Sequence, residues 1–305
     1  MKKEVVGVIY SGKHLGKEEK MYLREAHKRN IELIMFNLAE KIDEDEFEKQ
    51  IKKCKIVINN TAEDYALEYI KTVEELGRKV IDKSKVYYYT EDKWMLYLKC
   101  KEHKIPTLDT ILLSENLNVA KGELKKFNKW PVVLKRTIGT MGQYVEKADN
   151  MIEAEWMIKN FSGKDNEKLP IIAQEFAASD SYRVTCINGK IVQTALKKKT
   201  GSWKATGVYG EKFDKFKVDK ELKRIVDKIL KVSQIQICGI DFLKKNDKWV
   251  VIDINAEPAL DFIDREHSKM VGLVLDFVKK ESRNCCIPLI FPNDIFFRSF
   301  IFLIS

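Results

Sequence analysis

The chain has 305 residues, of which 45% are hydrophobic and 33% charged, and a formal net charge of +9. That length holds two or three compact units, and the apolar share excludes an intrinsically disordered chain. Lysines spread along the whole sequence carry the positive balance, with no block that reads as a nucleic-acid-binding arm, so a solvated basic surface accounts for it and no nucleic acid partner is expected.

In chain order, Val5–Tyr10 reads as a strand, 17–29 as a charged amphipathic helix and Ile31–Phe36 as a second strand. A helix over 45–53, a strand over 55–59, a helix over 63–75 closed by Gly77 and a strand over 79–81 follow. Strand and helix alternate at the spacing of a small parallel α/β domain covering 1–90. Thr90 is placed to cap a helix running from Glu91 to about His103, which Ile105-Pro106 stops. Then come a strand at 110–113, the segment "KWPVVLKRTIGTMGQYVEKA", a helix over 151–160 and the strand "PIIAQEFA". "SYRVTCINGKIVQTALKKK" is a hairpin turning at Asn188-Gly189. After a polar loop over 200–211 and a helix over 219–232, two strands flank the turn 245–248 in "IQICGIDFLKKNDKWVVIDINAEPAL". The fold class is α/β plus α+β, the second region being mixed and largely antiparallel.

None of the six cysteines forms a CxxC pair, and four sit in apolar runs, so they read as reduced core residues of a cytoplasmic protein. "MKKEVVGVIYSG" lacks the longer apolar region and cleavage site of a secretory leader. Residues 281–305 form an apolar tail of unassigned role. It is interrupted by Pro288, Pro292, Asn293, Asp294 and Arg298, which does not suit the run of about 20 apolar residues that a spanning helix needs, and no membrane partner is expected. His14, His27, His103 and His267 are scattered without metal spacing.

The chemistry gathers in three places. In "VVIDINAEPAL" the side chains alternate, so Asp253 and Asn255 share one face of an otherwise apolar strand. Asp241, in the preceding strand "GIDFL", lies across from that face if the strands pair. Two carboxylates and an amide oxygen are hard donors that suit Mg²⁺, with Mn²⁺ as an alternative, and unpaired carboxylates are costly to bury otherwise. In "PVVLKRTIGTMG", Lys135 closes an apolar strand, and Gly139 and Gly142 flank a Thr140-Met141 tip; this fits a phosphate-binding loop and a plain hairpin turn alike. "IIAQEFA" ends an apolar strand in Gln174-Glu175, a backbone edge open to an adenine.

Taken in order, these pieces resemble the ATP-grasp superfamily, and within it the RimK-like carboxylate–amine ligases, over about 92–260. The resemblance implies an ATP-grasp fold over 91–280, with a mobile lid at about 126–178, behind the α/β domain. It implies ATP and Mg²⁺ as cofactors. Lys93 and Lys135 would meet phosphate; Gln174, Glu175 and the Phe176–Ala177 backbone would meet adenine; Asp241, Asp253 and Asn255 would hold the metal. Ribose would fall to Ser181 or to Asp180 beside it. Arg183 and Lys198, the latter within a lysine run where relatives carry an arginine pair, would bind the substrate carboxylate or stabilise the tetrahedral intermediate. Lys204 and Thr206 lie where relatives contact the acceptor. The expected substrates are a small-molecule or peptide carboxylate and an amine, and a homo-oligomer is compatible with all of this. The competing readings are another ATP-grasp chemistry (D-alanine–D-alanine-like or carboxylating) and a non-catalytic nucleotide- or nucleic-acid-binding protein. Ala259 stands where the family's ending has Gly, a strained position if the turn needs a positive φ.

Overall fold

The computed structural model describes residues 3–139, 142, 144–163, 169–198, 203 and 213–284. Its elements are β1 (Glu4–Tyr10), α1 (Lys17–Lys28), β2 (Ile31–Asn37), α2 (Glu44–Ile51), β3 (Ile56–Asn59), α3 (Ala66–Glu75), β4 (Lys79–Ile81), α4 (Ser84–Thr90), α5 (Lys93–Glu102), β5 (Thr110–Leu113) and α6 (Leu117–Phe127). They continue as β6 (Val132–Arg136), β7 (Val145–Ala148), α7 (Met151–Gly163), β8 (Ile171–Glu175), β9 (Ser181–Ile187), β10 (Lys190–Lys197), β11 (Phe213–Asp214), α8 (Lys220–Ser233), β12 (Ile237–Lys245), β13 (Lys248–Asn255) and α9 (His267–Arg283).

The first sheet is parallel in the order β2-β1-β3-β4. Successive side chains of β1 serve opposite faces. Val6 and Val8 join Tyr22 and Ala26 of α1, while Ile9 joins Phe47 of α2 and Ile70 and Val73 of α3. The face bearing Val6, Val8, Ile56 and Ile58 is completed by α9, which inserts Met270, Val271, Val274, Leu275, Phe277 and Val278. The stretch 267–280, grouped by sequence with the second unit, thus packs on the first sheet.

Sequence reading placed one helix from Glu91, capped by Thr90. The chain instead breaks between α4 and α5. Asp92 caps α5 by accepting from the Trp94 and Met95 N–H groups, whereas the Thr90 hydroxyl donates back to Val86 O within α4. A carboxylate that takes two orphan N–H groups is the better cap. Helix α6, for which the sequence reading had no element, is capped by Asn116 and buries Ala120 and Leu124.

The central sheet is antiparallel, β11-β10-β9-β12-β13. Its two hairpin turns carry the paired positive φ values of tight two-residue turns, 49° and 71° at Asn188 and Gly189 and 50° and 60° at Asn246 and Asp247. The third sheet, β5-β8-β6-β7, packs one face on α6 and α7 through Leu124, Leu134, Ala154 and Ile158. It is tethered to the central sheet where the Val251 N–H donates to Pro106 O (2.9 Å) and the Thr107 hydroxyl to Val251 O (3.0 Å). Cys54, Cys100, Cys186 and Cys238 are free and buried, and no helix among the described residues is long and apolar enough to cross a membrane. The tail from 285 and most of the 200–211 loop lie outside the described residues.

Candidate active site

A cleft opens between the third and central sheets, and most of the residues singled out in the sequence line it. On its upper wall, β6 alternation turns Leu134 into the core and Val133 and Lys135 into the cleft. Lys135 is half-buried, and its ammonium donates to Gln174 Oε1 at 2.8 Å. Burial pulls its pKa down to about 8, Lys93 adding to the shift and Asp253 and Asp241 opposing it. Lys93 stands at the start of α5 and donates to Gly139 O (2.9 Å), with Asp253 Oδ2 3.9 Å away. Gly139 and Gly142 have φ of 144° and 71°, backbone that L side chains rarely adopt, so this loop needs its glycines. Thr140, between them, lies outside the described residues, as do Lys204 and Thr206.

At the closed end, the Glu175 carboxylate accepts from the Asp109 N–H (3.1 Å) and from Lys245 (2.5 Å), which fixes the strand end. The Phe176 N–H donates to Pro131 O (3.2 Å), so of the Phe176–Ala177 backbone that one group is already committed. Ser181 faces the cleft, whereas Asp180 acts on Lys198, whose pKa it helps to raise.

The lower wall is the end of the central sheet. Asp241 and Asp253 are direct cross-strand partners, and Asn255 pairs with Gly239. The register slips immediately after Asp241, leaving Ile252 as an extra residue, and this bulge brings Ile252 beside Asp253 into the cleft. Arg183 of β9 grips Asp241 with two bonds, Nε to Oδ1 at 2.7 Å and Nη2 to Oδ2 at 2.5 Å, and Lys197 Nζ lies 3.6 Å from Oδ1. Burial alone would raise the Asp241 pKa; the two cations outweigh it and hold the carboxyl below its usual range.

The two described lysines of the run are placed differently. Lys198, just past the end of β10, is exposed and pairs with Asp214 at 2.5 Å; Lys197 is buried and lines the cleft. Lys197→Ala is expected to lower turnover about 100-fold, the size of losing one preorganised charge. Lys198→Ala should leave it within about twofold, since an exposed ion pair is worth little. Equal effects of the two would reverse this assignment, and ADP release reads both.

Two further acids went unnoticed in the sequence. Glu91 lines the cleft, and burial, reinforced by Asp253, pushes its pKa up to about 7. Glu257 accepts from Asn59 Nδ2 at 2.6 Å, and burial with help from Glu91 raises it to about 8. Nothing in their local sequence marks them, because their perturbation comes from packing. Ala259 is not in the left-handed region, so the alanine there is unstrained. Among the described residues no three His, Cys, Asp or Glu side chains converge on a point; the oxygen set of the lower wall is two carboxylates and one amide.

The cleft thus lies between two antiparallel sheets, with Lys135 on one wall and Asp241 and Asp253 on the other. Residues 90–273 match the RimK-like ATP-grasp domain, well over half of the chain, and the chain belongs to that family. It is similar to the coenzyme gamma-F420-2:alpha-L-glutamate ligase of Methanocaldococcus jannaschii, 26% identical over 200 residues that cover 64% of this chain and 67% of the relative. It is likewise 26% identical, over 227 residues covering 72% and 73%, to a probable alpha-L-glutamate ligase of Teredinibacter turnerae. In fold it is similar to a RimK domain ATP-grasp protein from Sphaerobacter thermophilus, with a TM-score of 0.71 at 15% identity, covering 89% of this chain and 98% of that one. The protein is an ATP-dependent ligase that joins a carboxylate to an amine and forms ADP.

Proposed function

We propose that the cleft activates a carboxylate as an acyl phosphate and couples it to L-glutamate as the amine, the substrate that the relatives' names favour. The observation that carries this reading is the convergence of Lys93, Lys135, Arg183 and Lys197 on the Asp241–Asp253 pair in one cleft. A carboxylate oxygen attacks the γ-phosphorus, and the bond to the β-phosphate oxygen breaks. The amine nitrogen then attacks the acyl carbon; phosphate leaves and the nitrogen gives up a proton.

Asp241, Asp253 and Asn255 fit Mg²⁺. The Asn255 amide donates toward Gly239 O (3.4 Å), so its Oδ1 is the atom offered to a cation. The ion, when bound, offsets charge on the phosphates. Lys93 and Lys135 hold the phosphate chain together with Gly139, Thr140 and Gly142. Gln174, Glu175 and the 176–177 backbone hold adenine, with Ser181 in preference to Asp180 on ribose. Arg183 and Lys197 bind the substrate carboxylate and then oppose the oxyanion of the tetrahedral intermediate. The third sheet acts as the lid, and residues 204 and 206 belong to the acceptor side.

The test is ADP release from Mg·ATP with L-glutamate and a panel of acyl acceptors, D-alanine pairs serving as the rival arm. Release with D-alanine alone would replace glutamate in this reading. A pH signature accompanies it. Lys135 holds phosphate only when protonated, and its pKa lies near 8 instead of the ordinary 10.5. The KM for ATP is therefore expected to rise about tenfold between pH 7 and pH 9 as the charge is lost. Lys135→Arg, which stays protonated, should flatten the profile. A flat wild-type profile would remove Lys135 from the phosphate site.

A further inference from the structure

We infer that Gly239 is a positioning residue for Arg183: its missing side chain is the space in which the guanidinium crosses β12 to reach Asp241. This rests on the reading of the cleft given above, in which Arg183 meets the substrate carboxylate.

In the sheet, Arg183 stands opposite Asp241, and Gly239 stands opposite Thr185, so Gly239 and Asp241 are neighbours on the face that Arg183 crosses. A Cβ at 239 would lie 2.8 Å from Arg183 Cδ, 2.9 Å from Nη1 and 3.1 Å from Pro258 Cβ. The first two are closer than carbon atoms pack, so the arginine would have to move. Its room to move is small. Both Asp241 oxygens hold its edge at 2.7 and 2.5 Å, and the Phe262 ring lies 4.9 Å from its Cζ. The same ring lies 4.8 Å from Lys197 Nζ, so one aromatic face steadies both cations. Gly239 is not among the glycines of positive φ, so the requirement is steric and an alanine there has an accessible backbone conformation. A side chain at 239 thus displaces the guanidinium sideways from the Asp241 carboxylate and from the substrate position, while Pro258 has to give by only a few tenths of an ångström.

A double-mutant cycle tests this. Gly239→Ala is expected to lower kcat about 100-fold, the usual cost of misplacing a reacting group by about 1 Å. The KM for ATP should stay within about twofold, because the 174–177 segment and Lys135 are untouched. Arg183→Lys should cost a similar factor alone but add less than about threefold in the Gly239→Ala background, since the fork is already displaced. Additive losses would mean that position 239 acts through Pro258 instead, and a KM for ATP rising in step with the fall in kcat would mean a general collapse of the cleft; either overturns the inference, as does an unchanged kcat. A crystal structure of Gly239→Ala separates this from the functional reading. Nε of Arg183 moved beyond hydrogen-bond distance of Asp241 supports the inference whatever the substrates prove to be, and a retained two-bond grip overturns it. If Gly239→Ala alone is insoluble, the pairing with Arg183→Lys, a slimmer side chain, should restore soluble protein; failure to do so also counts against it.

Discussion

Asp253→Asn is expected to lower kcat about 1000-fold at saturating ATP, the scale of losing a charged metal ligand, with an unchanged melting temperature. The separation of the two readouts follows from the surroundings. The Asp253 side chain is about a quarter exposed and accepts the Ile254 N–H at 3.1 Å, a bond that an asparagine oxygen keeps. What the substitution removes is the negative charge facing Lys93 and, across the ladder, Asp241. Excess Mg²⁺ should recover part of the lost rate. A variant within tenfold of wild type would exclude Asp253 as a ligand.

Asp241→Ala has a different expected outcome, a loss of stability of about 3–5 kcal/mol together with the loss of activity. Arg183 and Lys197 are both buried against this carboxylate, and its removal leaves two cations unpaired. The pH dependence has a definite sign. The folded Asp241 carboxyl titrates below its ordinary value, so its contribution is present above that value and is lost as pH falls through the folded pKa. Urea denaturation should show the gap between wild type and variant narrowing below about pH 4. Replacing the three together, Arg183→Met and Lys197→Met with Asp241→Leu, should return most of the stability and none of the activity, because a buried ionic cluster seldom outperforms apolar packing. A single variant as stable as wild type at neutral pH would mean that water, not Asp241, compensates the two cations.

The sequence made the site legible where the chemistry is periodic. Asp253 and Asn255 on one face, the Asn188-Gly189 turn and the glycines around 140 each followed from local rules; the structure places Asp253, Asn255, Gly139 and Gly142 in the cleft and the Asn188-Gly189 turn at the other end of the β9–β10 hairpin. Three adjacent lysines at 197–199 look alike in a string, and only the end of β10 at Lys197 separates the buried Lys197 from Lys198, which meets Asp214. The α4–α5 break was missed because Thr90 and Asp92 are both plausible caps and the choice depends on which N–H groups each reaches. Glu91 and Glu257 owe their raised pKa values to burial, which no short stretch of sequence encodes. For α9, the helical spacing of Met270, Val271, Val274, Leu275 and Val278 is visible, but not the sheet it covers.

Helix α9 also sets an order of events during synthesis. The first sheet is the first part of the chain to be made, yet the face bearing Val6, Val8, Ile56 and Ile58, which α1 covers in part through Tyr22 and Ala26, is completed only by α9, the last described element. At ribosomal speeds the interval between β4 and α9 is roughly ten to forty seconds. For that time the nascent protein carries an open apolar sheet face, the kind of surface that chaperones hold and aggregates recruit. A chain stopped before His267 keeps that face open for good, so damage at the end of this protein is felt first at its beginning.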